Sequence, residues 1–231
     1  MNGIGRRGFA AGMILAAVAA AARAAENQAQ APIPKAWRGR RAEFRARAAQ
    51  QSGAVVFLGD SITQGLGKLA PHLFPGLNIA NRGIIGDTSF GLKLRLAEDV
   101  LSLNPRAVVI LIGTNDLTGG AAPQAIAGNI RRIVSAINSA QPQCPVILCL
   151  VMPRAASSGV GPEKIQALNA LIRAAARHSR NTSICDTFRI FAGGNGEPSL
   201  KEFPDGLHPN TAGYAKWAAA LRPLLARRGI S

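Results

Sequence analysis

Short apolar runs, each bounded by glycine, proline, asparagine or aspartate, recur along the chain and predict β-strands. They occupy residues 54–58, 77–80, 107–112, 146–151 and 183–185. Runs of this length without polar alternation are typical of strands that are buried on both faces of a parallel sheet. The sequence therefore predicts a five-stranded parallel sheet.

Amphipathic helical patterns separate these runs. One apolar stripe follows Pro123 and another follows Pro162, and proline suits the first turn of a helix. The stripes consist of Ile126, Ile130, Ile133, Val134 and Ile137, then Ile165, Leu168, Leu171 and Ile172, and, behind a cap at Asn210 or Thr211, Tyr214, Trp217, Leu221 and Leu225. Residues 37–51 predict an extra leading helix. Alternating strands and helices predict a single-domain, doubly wound α/β fold.

The N-terminus carries the pattern of an export signal. Arg6 and Arg7 precede an alanine-rich apolar run over residues 9–22, and a small-residue cleavage pattern ends at Ala24. This run is too short for a membrane span of about 20 apolar residues. We therefore expect residues 1–24 to be a cleaved signal peptide of the twin-arginine type, with the Sec route left open. The mature chain is then expected to be periplasmic or secreted and to lack a transmembrane segment.

Charge and cysteine content exclude few classes of function. The chain has 27 Lys and Arg against 12 Asp and Glu, a formal net charge of +15. These charges are scattered and not interleaved with aromatic side chains, so a solvated basic face is favoured and no nucleic-acid partner is expected, although attraction to a polyanion stays open. Cys149 and Cys185 lie in apolar runs, where inert buried thiols are expected. We expect no metal and no cofactor, and the oligomeric state is left undetermined.

A candidate nucleophile and candidate hydrogen-bond donors follow three predicted strands, at the edge where open α/β sheets bind ligands. Ser61 follows the first strand, Gly86 lies in a predicted loop over residues 81–88 after the second, and Asn115 follows the third. Ser61 can supply a nucleophilic hydroxyl. Its backbone N–H, that of Gly86 and the Asn115 amide can donate to a developing oxyanion. Gly83 is the runner-up for the backbone donor, although it also fits a simple turn glycine.

A general base is predicted near the C-terminus. Asp205 and His208 are three residues apart, and Pro209 stiffens the backbone behind the histidine. His208 can take the Ser61 proton and return it to the leaving alcohol, while Asp205 orients the imidazole. The sequence thus predicts a triad of Ser61, His208 and Asp205, and the loss of one oxyanion donor is expected to cost about 10²–10³ in rate.

These motifs, residues 59–62, Gly86, residues 113–116 and residues 205–208, resemble the four ordered blocks of the SGNH, or GDSL, hydrolase family. The resemblance spans about residues 54–225 and is strongest to the subgroup with the catalytic subunits of platelet-activating-factor acetylhydrolase. It implies a three-layer, flavodoxin-like hydrolase domain over residues 54–231, behind an extension and helix over residues 25–53. It also implies ester hydrolysis. By the family pattern, the catalytic triad is Ser61, Asp205 and His208, and the oxyanion hole is formed by Ser61, Gly86 and Asn115.

Two other functions stay open at this point. In a metal-dependent phosphoesterase, a cation would lie among Asp60, Asp116, Asp205 and His208; in a non-catalytic module, the fold would bind acylated glycans. Neither gives Ser61 and the glycine donor a role. We instead expect four aspartates to cap helices or brace loops; they are Asp60, Asp87, Asp116 and Asp186. The expected substrates are small-molecule or glycan esters with short acyl groups such as acetyl, and longer acyl groups of lysophospholipids or thioesters are the alternative.

Overall fold

The computed structural model describes residues 35–177, 179 and 181–231. The chain divides into two compact units, residues 1–38 and residues 39–231. Of the first unit, only the start of helix α1 (Lys35–Ala46) is described. The predicted signal peptide and most of the predicted extension lie outside the described residues.

Five parallel strands form the central sheet, as the apolar runs predict. They are β1 (Val55–Gly59), β2 (Ile79–Gly83), β3 (Ala107–Leu111), β4 (Val146–Cys149) and β5 (Thr182–Cys185). Their order across the sheet is β2-β1-β3-β4-β5. The chain runs outward from β1 to β2 and then returns to β3, so the strand order reverses between β1 and β3. A crevice opens at such a reversal, on the carboxyl edge of the sheet.

Helices cover both faces of the sheet. After α1 they are α2 (Ser61–Gly65), α3 (Ala70–Leu73), α4 (Ser89–Asp99), α5 (Thr114–Thr118), α6 (Pro123–Ala140), α7 (Pro162–Arg177), α8 (Thr187–Phe191) and α9 (Thr211–Ala226). The apolar stripes on α4, α6 and α7 pack in one core, and those on α2, α8 and α9 pack in the other. Because strand side chains alternate between faces, Val56 and Leu58 enter the first core while Val55 and Phe57 enter the second. The predicted three-layer α/β fold is confirmed.

The second strand differs from its prediction. It was expected over residues 77–80 but lies at Ile79–Gly83, so the first part of the predicted loop belongs to the sheet. Asn81 and Arg82 extend the strand because both polar side chains have partners there: Asn81 contacts α2, and the Arg82 guanidinium donates to the carbonyl of Asp99. Because these residues of an edge strand are polar, the hydrophobic pattern does not predict where β2 ends.

The remaining expectations concern cysteines and the membrane. Cys149 and Cys185 are free and buried, as their apolar runs predict, and Cys144 is free and buried too. Burial raises the pKa of the Cys144 thiol to about 11, and a protonated thiol is a poor nucleophile. In the part of the chain that the structure describes, no helix has both the length and the apolar character that a membrane crossing requires.

Candidate active site

Ser61 lies at the first position of α2, directly after β1. Asp60 caps this helix, because its Oδ1 accepts a hydrogen bond of 2.9 Å from the backbone N–H of Ile62. Close packing excludes any side chain at Gly59, where a Cβ would lie 2.4 Å from the carbonyl oxygen of Leu111 on β3. The turn from β1 into α2 is therefore held tightly and directs Ser61 to the carboxyl edge of the sheet.

A continuous chain of hydrogen bonds joins the three predicted triad residues. The hydroxyl of Ser61 lies 2.9 Å from Nε2 of His208. On the other side of the ring, Nδ1 lies 2.6 Å from Oδ2 of Asp205. The two ends of this chain are 147 positions apart in the sequence, and only the fold brings them together. With the ring proton on Nδ1, Nε2 is free to accept the Ser61 proton.

Asp205 also fixes the backbone that carries the histidine. Its Oδ1 accepts hydrogen bonds from the N–H groups of Leu207, at 2.9 Å, and His208, at 2.7 Å. Partial burial would raise the pKa of Asp205, but the hydrogen bonds from the His208 backbone, the His208 ring and Leu207 outweigh it and hold that pKa at about 2. Asp205 is therefore an anion throughout the neutral pH range, ready to stabilise an imidazolium.

Three predicted oxyanion donors lie on neighbouring elements. The side-chain amide of Asn115 donates to the carbonyl of Asp87 at 2.9 Å, which ties α5 to the loop that contains Gly86 and leaves the second amide hydrogen available. Among described residues, the backbone N–H groups of Ser61 and Gly86 have no hydrogen-bond acceptor. Each of the three can therefore still donate to a bound oxygen.

The two loop glycines have different roles. Gly86 adopts a φ of +75°, which favours glycine, and a Cβ there would meet open space. Gly83 lies in β2 instead, and its N–H already donates to the Asn81 side chain at 2.9 Å. A Cβ at Gly83 would lie 2.2 Å from the backbone nitrogen of Gln64, so this glycine lets α2 pack against β2. The geometry favours Gly86 over Gly83 as a donor.

Arg95 is a central residue of the site that sequence reasoning missed. Its side chain is fully buried and donates to the carbonyls of Gly59 at 3.1 Å and Arg82 at 2.7 Å, at the ends of β1 and β2. It also forms ion pairs with Asp87 at 2.8 Å and with Asp99 at 3.3 Å. One signal was available, since Arg95 occupies an inward position of α4 beside Leu92 and Leu96. A cation on an apolar helix face indicates a buried partner.

Arg154 braces the oxyanion side of the site in a similar way. It is buried after β4, and its guanidinium donates to the hydroxyls of Thr114, at 3.2 Å, and Thr118, at 2.7 Å. These contacts hold α5, which carries Asn115. The next residue, Ala155, donates its N–H to the carbonyl of Gly206 in the loop between Asp205 and His208, at 2.8 Å. Two sides of the site are thus linked through adjacent residues.

The aspartates that were expected to brace the structure accept backbone hydrogen bonds. The Asp116 carboxylate accepts from the N–H and the hydroxyl of Ser89 at the start of α4, and Asp87 accepts from the N–H of Thr88. Asp186 caps α8. Within the described part of the chain, no three side chains of the types that bind metals come together as a metal site.

Three of these carboxyl groups, those of Asp60, Asp87 and Asp116, are buried. Burial, aided by the nearby charges of Asp87 and Asp116 and opposed by the hydrogen bond from Ile62, raises the pKa of Asp60 to about 7. Burial also raises the pKa of Asp87, to about 6, although its ion pair with Arg95 opposes the change. The Oδ2 atom of Asp60 has no hydrogen-bond partner among the described residues. An unpartnered carboxyl oxygen in an apolar setting favours the protonated acid.

Asp60→Asn is therefore expected to stabilise the protein in a pH-dependent way. The folded-state pKa of Asp60 lies above its unfolded value, so the stability that the protonated acid contributes is fully present below the unfolded pKa and is lost as the pH rises to about 7. Asparagine is always neutral and can still cap Ile62. The difference in unfolding free energy between variant and wild type should grow by about 2–4 kcal/mol between pH 4 and pH 8, as measured by urea denaturation.

A matched control for this comparison is Glu163→Gln, which neutralises an exposed carboxylate on α7. Its unfolding free energy should follow that of the wild type at every pH. If the Asp60→Asn difference is the same at pH 4 and at pH 8, Asp60 is ionised in the folded protein and the pKa assignment is wrong.

A groove of about 1090 Å³ opens beside Ser61 and His208. It extends away from the two residues along α2 and the exposed side of β2, toward residues 40–51. Neither Gly86 nor Asn115 lines it. The groove therefore lies on the histidine side of the nucleophile, away from the two oxyanion donors Gly86 and Asn115.

Comparisons with known proteins agree with this geometry. The family described as GDSL-like lipase/acylhydrolase matches residues 57–216. The chain is 32% identical to platelet-activating factor acetylhydrolase IB subunit alpha1 of Pongo abelii over 212 residues, which cover 87% of this chain and 91% of that protein. The predicted likeness to that subgroup is confirmed.

Solved structures share the architecture. A GDSL-like lipase from Bacteroides thetaiotaomicron superimposes with a TM-score of 0.70 at 29% identity, covering 80% of this chain and 98% of that one. An acetylxylan esterase from Geobacillus stearothermophilus superimposes with a TM-score of 0.59 at 22% identity, covering 78% and 96%. At that identity the second likeness concerns the fold alone.

Proposed function

The chain belongs to the GDSL-like lipase/acylhydrolase family of ester-hydrolysing enzymes, and from this premise we propose that Ser61 is the nucleophile of an acyl-enzyme mechanism. The observation that carries the proposal is the hydrogen-bonded chain from Ser61 through His208 to Asp205, with distances of 2.9 and 2.6 Å. A serine hydroxyl is a weak nucleophile until a neighbouring base accepts its proton, and His208 lies within reach to do so.

The proposed reaction has two halves. Ser61 Oγ attacks the ester carbonyl carbon while His208 Nε2 takes the hydroxyl proton, and Asp205 stabilises the imidazolium that forms. The tetrahedral intermediate then breaks its bond to the alcohol oxygen, which receives the proton from His208. In the second half, His208 removes a proton from water as the water oxygen attacks the acyl carbon. The second tetrahedral intermediate then breaks its bond to Ser61 Oγ, which receives the proton from His208. The products are the alcohol and the carboxylic acid.

The oxyanion of each tetrahedral intermediate is proposed to bind between three N–H donors. The backbone N–H of Ser61 lies at the N-terminus of α2, the backbone N–H of Gly86 lies in the loop after β2, and the side-chain amide of Asn115 is oriented by its hydrogen bond to the carbonyl of Asp87. These donors are held in place before the charge develops, so they need little reorganisation during the reaction. Bracing by Arg95 and Arg154 supports the same arrangement.

We propose short acyl groups, acetyl in particular, on a carbohydrate alcohol. The relative with 32% identity is named an acetylhydrolase, which supports acetyl transfer to water. A long acyl chain would need a continuous apolar channel. In the described part of the chain, the exposed large apolar side chains are Ile85, Leu94 and Leu200, which lie on three separate segments and do not supply such a channel. Longer acyl groups, as in lysophospholipids, are the second candidate.

An acyl-length series tests this proposal. The purified protein is expected to hydrolyse p-nitrophenyl acetate with a kcat/KM at least about tenfold above that for a long-chain ester, because added methylenes have no apolar site to enter. A chelator should leave the rate unchanged. A preference for the long-chain ester would favour the second candidate, and loss of activity with chelator would show that hydrolysis depends on a metal ion and would contradict the serine mechanism.

The enzyme is further proposed to act outside the cytoplasm. The twin arginines and the apolar run over residues 9–22 support a periplasmic or secreted enzyme. Acetylated cell-surface or environmental carbohydrates would be within reach of such an enzyme. The segment that supports this step lies outside the described residues, so the proposal rests on the sequence pattern.

A further inference from the structure

The groove beside the nucleophile is large and built from separate parts of the chain. Its volume of about 1090 Å³ exceeds what a small alcohol fills. Residues 40–51 form one wall, and α2 with residues 67–71 forms another. The exposed edge of the sheet at β2 lies between them. A site of this size can bind several units of an extended molecule.

Its lining is strongly biased toward positive charge. Four basic side chains and one acidic side chain line the groove, namely Arg40, Arg47, Lys68 and Arg82 against Glu43. The acid is already engaged, since Glu43 forms an ion pair with Arg40 at 2.5 Å. Lys68 and Arg47 are exposed and form no ion pair with any residue that the structure describes. Both are therefore available to an anionic ligand.

The floor of the groove concentrates this charge further. The guanidinium groups of Arg40 and Arg82 both stack on the ring of Phe44, at 4.9 and 4.6 Å from its centroid. Burial lowers the pKa of Arg82 to about 10, and the neighbouring cation of Arg40 lowers it as well. Two cations held against the same ring lie close together and repel each other, so an anion bound beside Arg40 would relieve that repulsion.

The position of the groove indicates which part of an ester it binds. In acyl transfer, the protonated base must reach the departing oxygen, so the alcohol part lies on the histidine side of the nucleophile. His208 lines the groove, whereas Gly86 and Asn115 do not. The groove is thus placed for the alcohol part, and the carbonyl oxygen of the ester lies toward the oxyanion donors.

We infer that the groove is a subsite for the alcohol part of the substrate and that it takes an acidic carbohydrate, whose carboxylates bind Lys68 and Arg47. This inference rests on the proposed esterase function. Polar groups from Gln51, Asn78 and Asn81 also line the groove and suit sugar hydroxyls. The enzyme would then remove acetyl groups from a polymer of uronic acids.

A matched pair of substrates tests the inference. Acetylated oligogalacturonate is compared with the same oligomer after methyl esterification of its carboxylates, and acetate release gives kcat/KM for each. The measured quantity is the ratio of the two values within one protein. We expect the wild type to prefer the free acid, and the double variant Lys68→Gln with Arg47→Gln to lose about 5- to 10-fold of that preference. Added salt should reduce the wild-type ratio in the same direction.

The control double variant is Lys164→Gln with Arg131→Gln, which removes two exposed cations from α7 and α6 that do not line the groove. Its ratio should equal that of the wild type. Equal kcat/KM on both oligomers, or an unchanged ratio in the groove variant, would overturn the inference while p-nitrophenyl acetate hydrolysis keeps the esterase function. Faster hydrolysis of an acetylated glycerophospholipid than of the acidic oligomer would overturn the carbohydrate assignment.

A binding measurement separates this inference from the proposed function. Calorimetry with deacetylated oligogalacturonate needs no catalysis. Binding by the wild type that weakens in the Lys68→Gln and Arg47→Gln variant would support the groove assignment even if no ester were hydrolysed. Absence of binding at low salt would overturn it.

Discussion

Ser61→Ala is expected to lower kcat on p-nitrophenyl acetate by about 10⁴–10⁶-fold, because the variant has no nucleophile for His208 to activate. The residual rate should come from the oxyanion donors and substrate binding alone. The hydroxyl of Ser61 bonds to His208 and lies at the start of a helix, where alanine is a good helix former. The fold should therefore persist, with a melting temperature close to that of the wild type.

The matched control is Ser102→Ala, which removes a hydroxyl that bonds to the carbonyl of Glu98 away from the site. Its activity should equal that of the wild type. An organophosphonate provides a second measurement, since it should react stoichiometrically with the wild type and not with Ser61→Ala. A variant within about tenfold of wild-type activity would assign hydrolysis to another group.

Arg95→Met should destabilise the protein by about 3–5 kcal/mol, as measured by urea denaturation. The substitution leaves Asp87 buried without its ion pair, leaves Asp99 with Arg41 as its remaining partner, and removes donors from the carbonyls of Gly59 and Arg82. Because Arg95 lowers the pKa of Asp87, its loss should raise that pKa above the present value of about 6. The ionised Asp87 is then the costly form, so the loss of stability should be larger at pH 8 than at pH 5.

A surface ion pair provides the comparison. Arg173→Met breaks a pair with Asp186 at 2.6 Å in which the arginine side chain is 43% exposed, and it should cost about 0–1 kcal/mol. Arg95→Lys keeps the charge but not the forked set of donors, so it should be intermediate. If Arg95→Met and Arg173→Met cost the same, Arg95 does not hold the strand ends together.

The triad and the oxyanion donors could be proposed from sequence because each follows a recognisable strand. Ser61, Gly86 and Asn115 come directly after apolar runs or the loops behind them, and Asp205 and His208 share one short turn. Their roles stay proposals, yet the hydrogen-bonded geometry of Ser61, His208 and Asp205 agrees with them. Local spacing was enough to identify the candidates.

The residues that support the site could not be recognised in the same way. Arg95 lies 36 positions from Gly59, and Arg154 lies 40 positions from Thr114, so neither contact leaves a local pattern. Tyr214 was read only as part of a core stripe, yet its hydroxyl donates to the carbonyl of Ile62 at 2.8 Å and anchors α2. The role of a buried polar residue depends on its hydrogen-bond or ion-pair partner, and only the folded structure identifies that partner.

The sequence by itself determined the order of strands and helices, the family and the candidate chemical groups, because hydrophobic periodicity and short motifs are local properties. Tertiary structure alone decided the extent of β2, the requirement for glycine at Gly59 and Gly83, and the basic groove beside His208. Each of these depends on contacts between segments that are distant along the chain. Packing and electrostatic interactions join residues from several segments, so no single stretch of sequence specifies them.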